Sequence, residues 1–127
     1  MSREEIRAEG LPEPMSHFTD AVRAGGFLYV SGILGVDGEG RLVGDDVVAQ
    51  TRQVLENMRA VLSAGGCGFE DLVKVTIFLT DIHDRPLINP LRQEVFGATR
   101  PASTLVEVPR LALDGAKVEI ECVAVVP

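Results

Sequence analysis

Glu119 and Glu121 stand two residues apart in a C-terminal run that is otherwise mostly apolar. Between Lys117 and Val126, the residues Val118, Ile120, Cys122, Ala124 and Val126 alternate on one face. Lys117, Glu119, Glu121, Val123 and Val125 fall on the other, which is the period-2 signature of a strand. The second face is too apolar for bulk water and too charged for a sealed core, so it fits a cleft or a subunit interface. A glutamate there can transfer protons if it reaches a water, and partial burial would raise its pKa toward neutrality. The bland alternative is a solvated strand glutamate facing Lys117 or a neighbour.

Other chemistry is sparse. Ser31 closes an apolar run, but no Ser-His-Asp arrangement is available to activate it. His17 and His83 are the only histidines, and Cys67 and Cys122 the only cysteines. No C-x-x-C or H-E-x-x-H spacing occurs, so the residues offer no metal-ligand pattern. Two cysteines far apart in sequence read as free thiols. Cys122 alternates with core residues and reads as buried filler.

These side chains need elements to hold them. Residues 1–16 are polar, carry Pro12 and Pro14, and read as a lead-in arm. His17–Ala24 is a candidate first strand, Gly25-Gly26 a hairpin turn, and Phe27–Val30 a second strand ending at Ser31-Gly32. Gly35, Gly38, Gly40 and Gly44 mark a turn-rich connection. Asp45 or Asp46 caps a helix in which Val47, Thr51, Val54, Leu55, Met58, Val61 and Leu62 form the apolar stripe. Gln50, Arg52, Gln53, Glu56, Asn57 and Arg59 are assigned to its opposite face, and Gly65-Gly66 stops it. Leu72–Thr80 reads as a central strand. A second helix spans Arg85–Phe96, with Pro86 in its first turn and Pro90 expected to kink it or delay its start. Ser103–Val108 reads as a fourth core strand and Lys117–Val126 as the last. The order ββαβαββ indicates an α+β fold with both helices on one face of the sheet.

The chain of 127 residues is long enough for one domain, and no internal repeat or linker divides it. No apolar run approaches the roughly 18 residues needed to span a bilayer, so no membrane association is expected. The polar, acidic N-terminal residues lack a signal-peptide pattern, which gives a cytoplasmic expectation. A net charge of −7 with scattered cations makes nucleic acid a poor partner.

Six blocks in order resemble the Rid (YjgF-like) family. They are Tyr29-Val30-Ser31-Gly32, then Gln50-Thr51 with Asn57, then Asp71 to Leu79 (DLVKVTIFL). Asn89 follows in the second helix, then Arg100 to Val108 (RPASTLVEV), and Val118 to Ala124 (VEIECVA). The resemblance implies a single Rid-like domain over 1–127 with a chorismate-mutase-like mixed sheet and two helices. It also implies a homotrimer with ligand pockets in the clefts between subunits. The implied activity is hydrolysis of reactive enamines and imines to a carbonyl compound and ammonia, with no cofactor and no metal. By position, Glu119 matches a last-strand glutamate placed near the attacking water. Ser31 and Asn89 match ligand-orienting residues, and backbone groups near Ser103, Thr104 and Leu105 would hold the ligand's polar end. His17 abuts Phe18 at the implied cleft, which makes it the more functional of the two histidines.

Departures from the pattern narrow that reading. Phe18 stands where many members have a tyrosine, Ile33 where Gln is usual, and Leu105 where Cys is frequent. Ser103 stands where the family has a carboxylate-binding arginine. A guanidinium grips a carboxylate with two charge-assisted bonds, whereas a serine offers one neutral hydroxyl. The loss is worth about a hundredfold or more in affinity. Arg100 or Arg110 are candidate substitute cations, although an offset of three along a strand reverses the side-chain face. Two readings stay open: an imine or enamine deaminase of atypical substrate range, and a non-catalytic trimeric module that binds a small molecule or partner. Nuclease activity, also attached to such proteins, is opposed by the acidic balance.

Overall fold

The computed structural model describes residues 2–127. In chain order it has strands β1 (Arg3–Ile6), β2 (Ala21–Ala24) and β3 (Phe27–Leu34), then helix α1 (Val47–Ala64) and strand β4 (Leu72–Leu79). Helix α2 (Arg85–Phe96) and strands β5 (Ala102–Glu107) and β6 (Val118–Val125) follow. All six strands share one sheet in the order β1-β2-β3-β6-β4-β5. Neighbours are antiparallel except β4 and β5, which run parallel with α2 as the crossover between them.

Local signals set most boundaries. Gly25 and Gly26 take φ of 59° and 83°, a backbone hand that glycine adopts without penalty, so Ala24 and Phe27 pair directly across the turn. The Asp46 side chain accepts from the Ala49 N–H at 2.8 Å and caps α1. Gly65 ends the helix, and Gly66, with φ of 82°, turns the chain away. α2 starts at Arg85 and runs through Pro90 without delay. Pro90 lacks only the one N–H that would have bonded back to the helix's first turn.

One sheet face and the helices make the core. Leu28, Val30, Val75, Ile77, Leu79, Ile120 and Cys122 are buried against Val54, Leu55, Met58 and Leu62 of α1. α1 lies over β3 and β6, and α2 lies against α1 through Ile88 and Leu91. Each fully buried aliphatic side chain contributes about 1.5–3 kcal/mol of transfer free energy. Among the described residues no helix covers the opposite sheet face. Phe27, Tyr29, Val106 and Val125 are exposed there.

Several elements differ from the sequence expectation. The arm is not structureless: Arg3–Ile6 pairs with β2 as an edge strand, and Arg23 bridges Glu4. Backbone pairing alone can recruit such a polar segment, which apolar periodicity does not reveal. The first hairpin strand is Ala21–Ala24, shorter than His17–Ala24. β3 does not end at Ser31-Gly32 but crosses them in a bulge, with Val30 opposite Cys122 and Ile33 opposite Ile120. The strand at residues 103–108 is not a core strand. β5 is an edge strand, and of its six residues only Leu105 is even half-buried.

Gln50 and Asn57 also leave the exposed face assigned to them and are buried. The Gln50 amide donates to the carbonyls of Gly44 (2.9 Å) and Gly115 (3.0 Å) and accepts from the Lys117 N–H (2.8 Å). Asn57 donates to the carbonyls of Leu34 (3.2 Å) and Val36 (2.9 Å). Together they tie the glycine-rich connection and the start of β6 to α1. Buried amides persist only where such partners exist.

Candidate active site

Glu119 lies on the open sheet face in a row that reads Leu34, Glu119, Phe78 and Val106 across four strands. It is half-buried. Burial, with a smaller contribution from Glu121, holds its carboxyl above the ordinary glutamate range. Gly32 makes the room it occupies. A Cβ at position 32 would lie 2.9 Å from the Glu119 Cδ and closer still to Oε1. The bulge and its glycine therefore set where the carboxylate stands. A carboxyl shifted this way is suited to take a proton from water and return it.

Ser31 sits in the same bulge. Its hydroxyl donates to the Thr19 carbonyl at 2.6 Å and its N–H to the Asp20 carbonyl at 3.0 Å. With its proton engaged, Ser31 can accept a hydrogen bond from a ligand but is not an activated nucleophile. Phe18 is about half exposed and, with Ser31, Met15 and Ile33, lines an apolar recess beneath the arm. Asp20 fastens that arm by accepting from the Arg7 side chain and the Ala8 N–H, each at 2.9 Å. Glu119 does not line the recess.

A second group gathers around α2 and β5. Asn89 and Arg92, one helical turn apart, open onto a cleft that Arg100 also lines. Arg92 Nη2 donates to the Ser103 hydroxyl at 2.9 Å. The cation in contact with Ser103 is thus Arg92, neither Arg100 nor Arg110, both of which are exposed. Sequence reasoning missed Arg92 because it searched along the strand. The available signal was its spacing of three from Asn89 on one helix face. Thr104 accepts from Lys74 Nζ at 2.8 Å. Leu105 is half-buried beside Ile77.

The sheet keeps the two groups apart within one chain. Ser103 pairs with Val75 and Leu105 with Ile77, so both point to the helix side, whereas Thr104 shares the open side with Glu119. β5 is two strands from β6, roughly 10 Å at the usual strand spacing. The side chains of residues 103–105 therefore do not share one face, because strand alternation divides them. Glu119 and Ser103 cannot face one small ligand in a single chain.

The remaining polar residues offer less. His17 is exposed, and His83 is held by Asp81 at 3.1 Å. Burial pushes the Cys122 thiol up to about 12 and also raises that of Cys67, so neither is a ready thiolate. Among the described residues no cluster of His, Cys, Asp and Glu is arranged to hold a metal ion.

Comparison with known proteins adds to this geometry. The family model described as Endoribonuclease L-PSP matches residues 9–126. A RutC family protein of Pyrococcus horikoshii is 41% identical, covering 96% of this chain and 97% of that protein. The 2-iminobutanoate/2-iminopropanoate deaminase of Salmonella typhimurium is 38% identical over 94% of this chain and 95% of its own. Among solved structures, a conserved Rid family protein from Yersinia pestis superimposes with a TM-score of 0.93 at 37% identity. It covers 98% of this chain and 100% of that one.

Proposed function

The chain belongs to the endoribonuclease L-PSP family, also called the Rid family, and from that premise we propose that it hydrolyses reactive imines and enamines of small carbonyl acids. The observation that carries the proposal is Glu119: a half-buried carboxyl with a raised pKa, lodged against a glycine that leaves it room. An enamine first takes a proton on carbon, and an imine takes one on nitrogen, to give the iminium ion. Water then attacks the imine carbon while Glu119 accepts the water's proton. The resulting neutral carbinolamine takes that proton back on nitrogen. As the C–N bond breaks and ammonia leaves, the hydroxyl gives its proton to the Glu119 carboxylate and its electron pair closes the carbonyl, which returns the proton taken up at the start. One water is consumed, one ammonia is released, and no electrons change hands, so the chemistry requires no cofactor. The relative named as a 2-iminobutanoate/2-iminopropanoate deaminase supports this reaction class.

A complete site needs more than one copy in this reading. The opposite orientations of Glu119 and Ser103 support clefts shared between subunits of a homotrimer. The exposed apolar side chains on the open sheet face support association there. In such a cleft Ser31 would accept a hydrogen bond from the ligand, Phe18 would provide an apolar wall, and Asn89 would donate from α2.

Purified protein is to be given freshly generated 2-aminoacrylate and a panel of imines with and without carboxylates, with ammonia release followed. Release above the uncatalysed rate is expected for at least one imine. Thermal stabilisation by these compounds or their ketone products without any acceleration would replace the proposal with the non-catalytic binding module.

A further inference from the structure

Arg92 is a guanidinium with no carboxylate partner among the described residues. It is half-buried, its Nε is sealed from water with no hydrogen-bond partner, and it makes no ion pair among the described residues. Its one polar contact is the neutral Ser103 hydroxyl. Desolvation lowers its pKa, so the charge is held at a cost that a bound anion would offset. The Phe96 ring, 6.0 Å from the guanidinium carbon, limits its swing. The cleft it opens onto has about 330 Å³, at the small end of the roughly 300–1,000 Å³ range of ligand pockets, and Asn89, Thr99 and Arg100 share its lining. Two guanidiniums around one concavity in a chain of net charge −7 make a local anion site.

We propose that this cleft binds the carboxylate of the substrate, with Arg92 as the primary anchor, Asn89 and Arg100 as flanking donors, and Ser103 positioning the Arg92 fork. The inference deepens the deaminase reading and rests on it for the identity of the ligand. It assigns the carboxylate anchor of that substrate to a side chain of α2 rather than of β5. A guanidinium arriving from α2 thus supplies the charge that β5 lacks. A planar carboxylate suits the fork, which offers two parallel N–H donors.

The test uses the full-length protein and two readouts. Calorimetry measures binding of 2-oxobutanoate and of its uncharged methyl ester, and kinetics compare an imino acid with a carboxylate-free imine. Arg92→Gln is expected to weaken 2-oxobutanoate binding and raise KM for the imino acid by about tenfold to a hundredfold. The ester and the neutral imine should change less than twofold. Arg92→Lys, which keeps the charge and loses the fork, should recover only part of the affinity. Ser103→Arg alone should bring no gain, because its guanidinium would crowd Arg92. In the Arg92→Gln background the same substitution should restore binding. Unchanged KM and affinity in Arg92→Gln, with the wild type active, would overturn the assignment and leave the deaminase reading standing. Arg92-dependent 2-oxobutanoate binding without turnover of any imine would do the reverse. A wild type that binds ester and acid equally would also overturn it.

Discussion

At the scale of the residue, Glu119 illustrates how a strand position becomes reactive. Its raised pKa means that the folded chain holds the proton more tightly than the unfolded chain does. The stability this contributes is present at low pH and is lost as pH rises through the folded value, so ionised Glu119 is a burden at neutrality. Glu119→Gln is therefore expected to raise Tm at neutral pH while lowering kcat by about 10²–10⁴-fold, a split that a structural glutamate would not show. The acid limb of the kcat/KM profile should lie above the ordinary glutamate range and be absent from this variant. Gly32→Ala tests the same point from the other side. Its methyl group would displace the carboxylate, and a misplacement of about 1 Å can cost roughly a hundredfold in rate. A kcat within twofold of wild type would show that the position of Glu119 is not critical. The strand face carrying Glu119 was readable from alternation alone, while its partner glycine and the Arg92–Ser103 contact were not. Both depend on which segments the fold brings together.

At the scale of the element, polar residues inside α1 do structural work that hydrophobic patterning hides. Gln50 satisfies two carbonyls and one N–H from separate loops, and Gly35 passes so close that an added Cβ would stand 2.5 Å from the Gln50 carbonyl oxygen. Gln50→Leu leaves those backbone groups unpaired and is expected to destabilise the chain by about 1–3 kcal/mol per orphaned group, read from chemical denaturation. A change below about 0.5 kcal/mol would show that water replaces the amide. The elements most legible in the sequence were those with local grammar: the Gly25-Gly26 turn, the Asp46 cap, the Gly65 stop and the bounds of α2. β1, the bulge at Ser31-Gly32 and the edge position of β5 were illegible because each is defined by a partner strand far away in sequence. Gln50 and Asn57 were misassigned for the same reason. Their polarity suggested solvent, whereas their partners are distant carbonyls.

At the scale of the whole molecule, the α+β class with both helices on one sheet face was legible from element order, and the resemblance named the family and implied the mixed sheet. What one chain does not contain is a place where Glu119 and the α2–β5 cleft meet. Light scattering after gel filtration is expected to give three times the chain mass, and a monomer would remove the shared cleft. Subunit complementation tests the central claim most directly. Glu119→Gln chains lack the proton-transfer group. Ser103→Glu chains set their own carboxylate against Arg92 and block the cleft. Each alone is expected to be nearly inactive on a 2-imino acid. If each site takes Glu119 from one copy and the cleft from its neighbour, co-expression in equal amounts restores intact sites in about a quarter of positions around a cyclic assembly. Recovery near a quarter of wild-type ammonia release is the expected result. Mixed assemblies no more active than their parents would contradict a site completed between copies.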